Sequence, residues 1–212
     1  AEGLYGTRVT VHRVDSLDDL PVTPRWANVV FSESALNGEP LPIQLASVRR
    51  LLSPKGIALF GGTKQRVADL PQSLRAAGQL DDAGEWLVLH GAAIEGAGDW
   101  SHIYGSAANN HYGGESLSGA SRADDFVVQW LGRPGPRYQA DRNGRKPAPL
   151  ATGGRIFLQG LHRIIAVDQF NGTVQWSLEI PIMDRYNMPR DCGNWCADED
   201  FVYLAVFGQC WK

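Results

Sequence analysis

Residues 164–176, Ile-Ile-Ala-Val-Asp-Gln-Phe-Asn-Gly-Thr-Val-Gln-Trp, determine the fold expected for the second half of the chain. Two apolar segments rich in β-branched residues flank an Asn-Gly pair, which is the pattern of two antiparallel strands joined by a tight turn. Gly172 supplies the positive φ that the turn needs, and Asp168 can accept hydrogen bonds from the turn amides. We therefore predict structural roles for these residues.

A similar strand pattern occurs twice, 46 residues apart. The segments 154–160 and 200–206 align with Phe157 on Tyr203. This spacing is close to the roughly 40–50 residues of a four-stranded propeller blade. The short apolar runs of the second half predict strands at 126–130, 155–159, 163–167, 173–178 and 201–206. We therefore expect residues 99–212 to be all-β.

The string at 164–176 resembles the repeat of pyrroloquinoline-quinone-type β-propellers, A-x-D-x-x-x-G-x-x-x-W. The resemblance implies that residues 99–212 form one to two blades and that Trp176 packs between neighbouring blades. It does not imply the quinone cofactor, because that site draws a calcium ion, a catalytic aspartate and other polar residues from many blades. We therefore expect no pyrroloquinoline quinone site here.

The first half alternates short apolar runs with helical patterns. Strands are predicted at 8–14, 27–31, 57–60 and 86–89. One helix is indicated by an apolar stripe at Leu41, Leu45, Val48 and Leu52. Asp69 is predicted to cap a second helix that carries Leu70, Leu74 and Ala77, with Gly78 just past its end. Strands that alternate with helices predict an α/β unit with a mainly parallel sheet.

Three strings of residues 1–94 resemble the latter part of a class I S-adenosylmethionine-dependent methyltransferase. They are 14–21 (Val-Asp-Ser-Leu-Asp-Asp-Leu-Pro), 27–33 (Ala-Asn-Val-Val-Phe-Ser-Glu) and 50–59 (Arg-Leu-Leu-Ser-Pro-Lys-Gly-Ile-Ala-Leu). The resemblance implies a partial Rossmann-like sheet from the family order 3-2-1-4-5-7-6. It also implies that Asp15 accepts a hydrogen bond from the adenine amino group, while Ser32 and Glu33 border the methyl-transfer site.

Two departures from that family affect the expected function. Asn28 stands where the fourth strand usually carries an aspartate, and the glycine-rich first motif is missing. The first two strands of the family would lie between the strand at Val9 and the strand at Val29. We therefore expect negligible binding of S-adenosylmethionine by this chain alone, and the catalytic residues remain unknown. The alternative interpretation of Asp15 is a solvated acidic turn together with Asp18 and Asp19.

The chain is expected to be a fragment of a multidomain bacterial protein. Residues 1–94 would be the methyltransferase-like part, 95–98 a linker, and 99–212 incomplete propeller blades. The parent protein would use S-adenosylmethionine to methylate an unknown acceptor or protein partner, whereas the fragment alone would be inactive. The alternative is a non-catalytic propeller scaffold or binding protein of the cell envelope. The compartment is open, with the periplasm or envelope favoured over the cytosol.

Composition argues against two classes of partner. Lys and Arg number 20 against 23 Asp and Glu, which gives a net charge of -3, so no excess of positive charge favours nucleic acid. No apolar run approaches the roughly 20 residues that a membrane-spanning helix needs. We therefore expect neither a nucleic-acid partner nor a membrane span in this chain.

The remaining candidates are three cysteines, one histidine and a basic segment. For Cys192, Cys196 and Cys210, a Cys192–Cys196 disulfide, buried free thiols and a larger site with Cys210 all stay open, with a structural loop favoured over redox chemistry. His102 has no second ligand at metal spacing, so we expect a structural role. The basic residues of 132–154 predict an exposed connection between strands.

Overall fold

The computed structural model describes residues 5–6, 8–32, 44–116, 120–132, 148–160, 162–181, 183, 194–206 and 208–212. The chain divides into two compact units, Ala1–Ala93 and Ile94–Lys212. The linker predicted at 95–98 begins at the second residue of the second unit. Each unit has its own buried apolar cluster and is described by itself.

The described part of the first unit contains four strands and three short helices. The strands are β1 (Ala27–Phe31), β2 (Leu52–Gly61), β3 (Gln79–Leu80) and β4 (Trp86–His90). The helices are α1 (Leu45–Leu51), α2 (Lys64–Asp69) and α3 (Gln72–Ala77). The sheet order is β1-β2-β4-β3. β1 pairs with β2 in parallel, whereas β4 is antiparallel to both β2 and β3.

The core of the first unit lies between the sheet and its helices. Phe60 of β2 and Leu87 of β4 are fully buried, together with Val48 of α1 and Leu74 of α3. Alternate residues of β2 are buried, as expected for a sheet with one covered face. Removing this apolar surface from water is the main favourable contribution to folding of the unit.

The prediction of a mainly parallel α/β sheet is wrong. Of the three strand pairs in the described sheet, only β1–β2 is parallel, and the described helices have no more than seven residues. The physical reason is a turn that the sequence interpretation missed. The carboxylate of Asp81 accepts hydrogen bonds from the N–H groups of Glu85 and Trp86 at 2.8 and 2.9 Å. This turn joins β3 to β4 as an antiparallel hairpin, and β4 also pairs antiparallel with β2.

Three local predictions in the first unit also differ from the structure. The strand at 8–14 is absent from the described residues, where Val9 forms only an isolated bridge with Tyr5 and lacks the neighbour that a strand needs. The first helix ends at Leu51, because Leu52 already belongs to β2. Asp69 ends α2, and Thr63 caps that helix by accepting a hydrogen bond from the Arg66 N–H at 3.3 Å.

The described part of the second unit contains two antiparallel sheets. The first has the strands β5 (Leu150–Thr152), β6 (Arg155–Gly160), β7 (Arg163–Asp168) and β8 (Val174–Glu179) in sequential order. The second has β9 (Trp195–Ala197), β10 (Val202–Val206) and β11 (Gln209–Trp211), with β10 in the centre. Four of the predicted strands are present as β6, β7, β8 and β10. The strand predicted at 126–130 is wrong, since these residues join no sheet.

The two sheets repeat the same pairing register. In the first sheet Leu150 pairs with Phe157 and Gln159 pairs with Ile164. The pairs Cys196–Tyr203 and Ala205–Cys210 of the second sheet lie 46 residues later at each position. The pairs Ala151–Ile156 and Leu158–Ile165 have the corresponding equivalents Ala197–Val202 and Leu204–Trp211.

The apolar faces of the two sheets form one core. Leu150, Phe157 and Ile164 of the first sheet belong to the same buried cluster as Trp195 and Leu204 of the second. β5 contacts β9, so both sheets start from neighbouring strands. Face-to-face packing of antiparallel sheets buries the alternate apolar residues of both.

Candidate functional site

The structure describes two of the three predicted cofactor-binding residues. Asp15 lies exposed in a bend, and Ser32 is half-buried directly after β1. Glu33 lies outside the described residues. The described neighbours of Asp15 form a 3-10 turn, Leu17–Asp19, which is capped by the Ser16 hydroxyl.

The acidic turn has a clear structural attachment. Asp18 accepts hydrogen bonds from Ser47 Oγ at 3.1 Å and from Arg50 Nε at 3.3 Å. Arg50 also donates through Nη2 to the carbonyl oxygen of Leu17 at 2.9 Å. These contacts hold the turn against α1. They match the sequence-based alternative in which the aspartates serve the turn, except that Asp18 is paired rather than fully solvated.

Asn28 is part of the sheet rather than of a pocket. Its Oδ1 accepts a hydrogen bond from the Ser53 hydroxyl at 2.8 Å, which joins β1 to β2. The amide oxygen therefore has a partner within the unit.

S-adenosylmethionine would need polar partners in the first unit. This cofactor carries an adenine, ribose hydroxyls and charged groups, which a protein site must meet with donors and acceptors. The described buried side-chain atoms without a hydrogen-bond partner belong to Gln159, Asn194 and Trp195, all in the second unit. Within the described first unit, no buried polar side-chain atom lacks a hydrogen-bond partner.

The β7–β8 turn confirms the roles predicted from its sequence. Asp168 is only 5% exposed, and its Oδ1 accepts hydrogen bonds from the N–H groups of Phe170 and Asn171 at 2.8 and 3.0 Å. Gly172 has φ of +72°. Asn171 Oδ1 accepts a hydrogen bond from the Thr173 N–H at 3.0 Å. The turn is thus stabilised by local side-chain contacts.

Trp130 covers this turn, a contact that the sequence interpretation missed. Its Nε1 donates to the Gln169 carbonyl at 2.9 Å, and the neighbouring Gln129 donates to the Phe170 carbonyl at 3.0 Å. A Cβ atom on Gly172 would lie 2.5 Å from the Trp130 ring. Sequence alone gives no sign that Trp130 contacts Gly172, because 39 or more residues separate the two segments.

A cavity of about 320 Å³ lies in the second unit. Cys196, Tyr203, Ala205 and Cys210 line it, and residues 102–104 and Asn109 add to its wall. By the period-2 alternation of strands, the first four residues share the face of the second sheet that is turned away from the first sheet. The cavity therefore contains two thiols and a phenol.

Neither the Cys196 thiol nor the Tyr203 phenol of the cavity is activated as a nucleophile. Burial is the largest effect that raises the pKa of the Cys196 thiol, and Cys210 and Asp198 add to it, so the reactive thiolate is disfavoured. The Tyr203 hydroxyl donates to Asp198 at 2.8 Å, which raises the pKa of Tyr203. The same hydrogen bond is the largest effect that lowers the pKa of Asp198.

The structure limits which disulfide bonds the three cysteines can form. Cys196 and Cys210 are free thiols, and Cys192 lies outside the described residues. β9 and β11 flank β10, so two strand spacings of about 4.8 Å each separate these thiol-bearing strands. This distance exceeds the roughly 7 Å that a disulfide tolerates between Cα atoms. A Cys196–Cys210 bridge is therefore not compatible with the described sheet.

The other predicted sites have mixed outcomes. His102 Nδ1 forms a hydrogen bond with the Ser101 hydroxyl at 2.9 Å. In the described ranges, no group of three or more His, Cys, Asp or Glu side chains could hold a metal ion. The five basic residues between 133 and 146 lie outside the described residues. Where the chain is described, its helices are all too short or too polar to cross a membrane.

Comparisons with known proteins add no relative to these observations. No protein-family model, curated protein or solved structure matches this chain.

Proposed function

We propose that the second unit belongs to a propeller-type binding scaffold whose described residues carry no chemical step. The observation that carries this proposal is the register shared by the two sheets, with equivalent pairs 46 residues apart. A repeated sheet that packs on its neighbour is the building principle of repeat proteins. Fold resemblance supports a scaffold more strongly than it supports catalysis.

The polar residues of the second unit support a structural rather than a catalytic role. Asp168 Oδ1 accepts hydrogen bonds from two turn amides. Asp198 accepts hydrogen bonds from the N–H groups of Asp200 and Phe201 and from the Tyr203 hydroxyl. Catalytic sites usually contain groups whose pKa values are shifted toward the pH of the reaction. The shifts at Asp198, Tyr203 and Cys196 all favour the ordinary protonation state.

For the first unit, we propose descent from a methyltransferase-like domain that no longer binds its cofactor in this chain. One observation favours this relationship. The order β1-β2-β4-β3 corresponds to the last four positions, 4-5-7-6, of the family order. A mainly parallel sheet is not part of this proposal. In a parent protein with a complete site, the methyl group would pass from S-adenosylmethionine to an acceptor that these residues do not identify.

Titration calorimetry of the 212-residue chain tests both parts. We expect no measurable heat with S-adenosylmethionine, or with pyrroloquinoline quinone in the presence of Ca²⁺, at protein concentrations that would detect a micromolar Kd. An Asp15→Ala variant is the control for specificity. Micromolar binding of S-adenosylmethionine that disappears in this variant would contradict the proposal for the first unit, and saturable quinone binding would contradict the scaffold.

A further inference from the structure

Residues 128–130 repeat part of the sequence of β8. They read Val-Gln-Trp, as do residues 174–176 at the start of β8. The two strings are 46 residues apart, the same offset that relates the strand pairs of the two sheets. The repeat therefore makes residues 128–132 the equivalent of an outer strand such as β8.

Trp130 makes the contact that the propeller resemblance implies for the tryptophan of an outer strand. The resemblance places that side chain between its own sheet and the next one. Trp130 donates through Nε1 to the Gln169 carbonyl at 2.9 Å, and Gly172 of the same turn lies against its ring. Both residues belong to the turn that joins β7 to β8. Trp130 is thus docked on the sheet that follows it in the sequence.

The chain directly before this segment does not supply the rest of a sheet. Residues 104–106 and 109–114 lie 46 positions before β5 and β6, and neither of these described ranges contains a strand. Residues 126–132 join no sheet of the described structure either. Within the part of the chain that the structure describes, the segment is therefore an outer strand without its inner strands.

The apolar side chains of this segment are uncovered. Four of them are between 59% and 91% exposed, namely Phe126, Val127, Val128 and Leu131. Single exposed apolar residues are normal on a protein surface, whereas a cluster of them marks an interaction site. Gln129 and Trp130 are half-buried and hold the segment on the β7–β8 turn. The segment is thus attached to the first sheet through these two side chains while its apolar side chains face solvent.

The first sheet also has an apolar face that matches a packed face of the second sheet. Val202 and Leu204 of β10 pack into the core that the second sheet shares with the first. Their equivalents 46 residues earlier are Ile156 and Leu158 of β6. These two residues lie on the face opposite to Phe157 and are only half-buried. The same packing step, taken one repeat earlier, would place a further sheet on this face.

We propose that residues 128–132 serve as the outer strand of a further four-stranded sheet, whose three inner strands come from another part of the same polypeptide. The innermost contact is an edge strand of the β7 type, which pairs antiparallel with the segment as β7 pairs with β8. The apolar face of the added sheet covers Ile156 and Leu158. This inference rests on the proposed scaffold function and names the segment through which the scaffold holds a distant part of its own chain.

The backbone of β7 shows which groups face its outer strand. Asp168 donates its N–H to the Thr173 carbonyl at 2.8 Å, just before β8 begins. Because N–H groups of alternate residues point to the same side of a strand, those of Ala166 and Ile164 also point toward β8. Their partners in β8 are Trp176 and Leu178, which therefore form the hydrogen-bonded pairs.

The repeat carries this pattern over to the segment. The residues 46 positions before Trp176 and Leu178 are Trp130 and Gly132. Their N–H groups should therefore point toward the added sheet. The N–H of Leu131, which lies between them, should point to the opposite side. The proposal thus predicts that docking protects the amides of Trp130 and Gly132 but not that of Leu131.

Amide hydrogen exchange in the intact, ¹⁵N-labelled 212-residue chain tests the proposal. The probe is an unlabelled synthetic peptide of residues 149–168, which contains β5, β6 and β7 but not β8. It represents a sheet of this repeat that lacks its outer strand. We expect saturating peptide to slow exchange at Trp130 and Gly132 by at least about tenfold and to leave Leu131 unchanged.

Three controls locate the contact. A peptide of residues 149–180 carries β8 as its own outer strand and should leave the amides of the chain unprotected. N-methylation of Ala166 in the shorter peptide removes an N–H that faces the segment and should reduce the protection about tenfold. Leu131→Pro in the chain removes the N–H that points away from the added sheet, where proline is tolerated, and should keep the protection at Trp130 and Gly132.

Each outcome decides the proposal. Equal protection by the two peptides, no protection by either, or protection at the amides of β11 in place of Trp130 and Gly132 would overturn it. A chain that sediments as a dimer with these amides already protected would show that a second copy occupies the segment, which also overturns it. Unprotected amides with silent cofactor titrations would refute only this inference, whereas saturable quinone binding would refute the proposed scaffold.

Discussion

The sequence predicts a specific role for both Asp168 and Asp15, but the two aspartates differ in burial and in hydrogen bonding. Asp168 is buried and accepts hydrogen bonds from amides two and three residues ahead. Asp15 is exposed in a bend of the first unit. The role of Asp168 depends on its immediate neighbours, whereas the role implied for Asp15 depends on a cofactor. The sequence of this chain therefore predicts most directly those structural roles that depend on neighbouring residues.

The largest expected effect concerns the turn that Asp168 stabilises. Gly172→Val would combine the strain of a positive φ with a clash against Trp130, and should lower the free energy of unfolding of the second unit by about 3–5 kcal/mol. Gly208→Val is the matched control, because Gly208 has φ of +73° with no atom within 4 Å of its added Cβ. Urea unfolding followed at the amides of β7 measures both.

The control should lose only about 1–2 kcal/mol, the cost of the backbone conformation. Equal losses for the two variants would mean that Trp130 does not cover the turn in solution.

The next largest effect concerns the hydrogen bonds that the Asp168 carboxylate accepts. Asp168→Ala leaves the N–H groups of Phe170 and Asn171 without their acceptor and should cost about 2–3 kcal/mol. Asp168→Asn keeps an acceptor oxygen and should cost roughly half as much. The same urea unfolding experiment measures both variants. An alanine variant as stable as the asparagine variant would show that the hydrogen bonds of Asp168 do not stabilise the turn.

A smaller effect is expected in the first unit. Asp18→Ala removes the contacts to Ser47 and Arg50, which are partly exposed, so we expect a loss of about 0.5–1 kcal/mol. Asp15→Ala should change the unfolding free energy by less than about 0.5 kcal/mol. Urea unfolding followed at the amides of β2 compares the two variants. A larger loss for Asp15→Ala would show that Asp15 has a structural partner.

The smallest effect is a dependence on pH. The pKa of Asp198 is lowered, first by the Tyr203 hydroxyl and then by the N–H groups of Phe201 and Asp200. A carboxyl whose folded pKa is depressed contributes stability above its unfolded pKa, about 3.9, and loses it as pH falls through the folded value. Unfolding of Asp198→Asn should therefore depend less on pH below about 4 than unfolding of the unaltered chain. Parallel pH profiles would contradict this.

Sequence reasoning placed many elements of the second unit because their signals are local. The Asn171-Gly172 turn, the acceptor role of Asp168 and the strands on both sides follow from neighbouring residues. The repeat aligned Phe157 with Tyr203, and the observed registers agree at that offset. The contact of Trp130 with Gly172 was missed because it joins segments that are distant in sequence.

Sequence reasoning predicted the first unit less well because strand direction is not a local property. The apolar runs at 27–31, 57–60 and 86–89 are strands. However, the Asp81 turn makes β3 and β4 an antiparallel hairpin, and β4 is also antiparallel to β2. The alternation of Val9 and Val11 predicted a strand that lacks a partner among the described residues. The methyltransferase resemblance implied cofactor-binding roles for Asp15 and Ser32. In the structure, Asp15 lies in an exposed bend and Ser32 lies directly after β1.

The central claim is that the two sheets of the second unit repeat the same register. Nuclear Overhauser effects between Hα protons test it directly, because non-hydrogen-bonded antiparallel pairs bring their Cα atoms to about 4.5 Å. The shared register predicts strong Hα–Hα contacts for Gln159 with Ile164 and for Ala205 with Cys210. Contacts displaced by one residue in either sheet, or absent from the second, would contradict it.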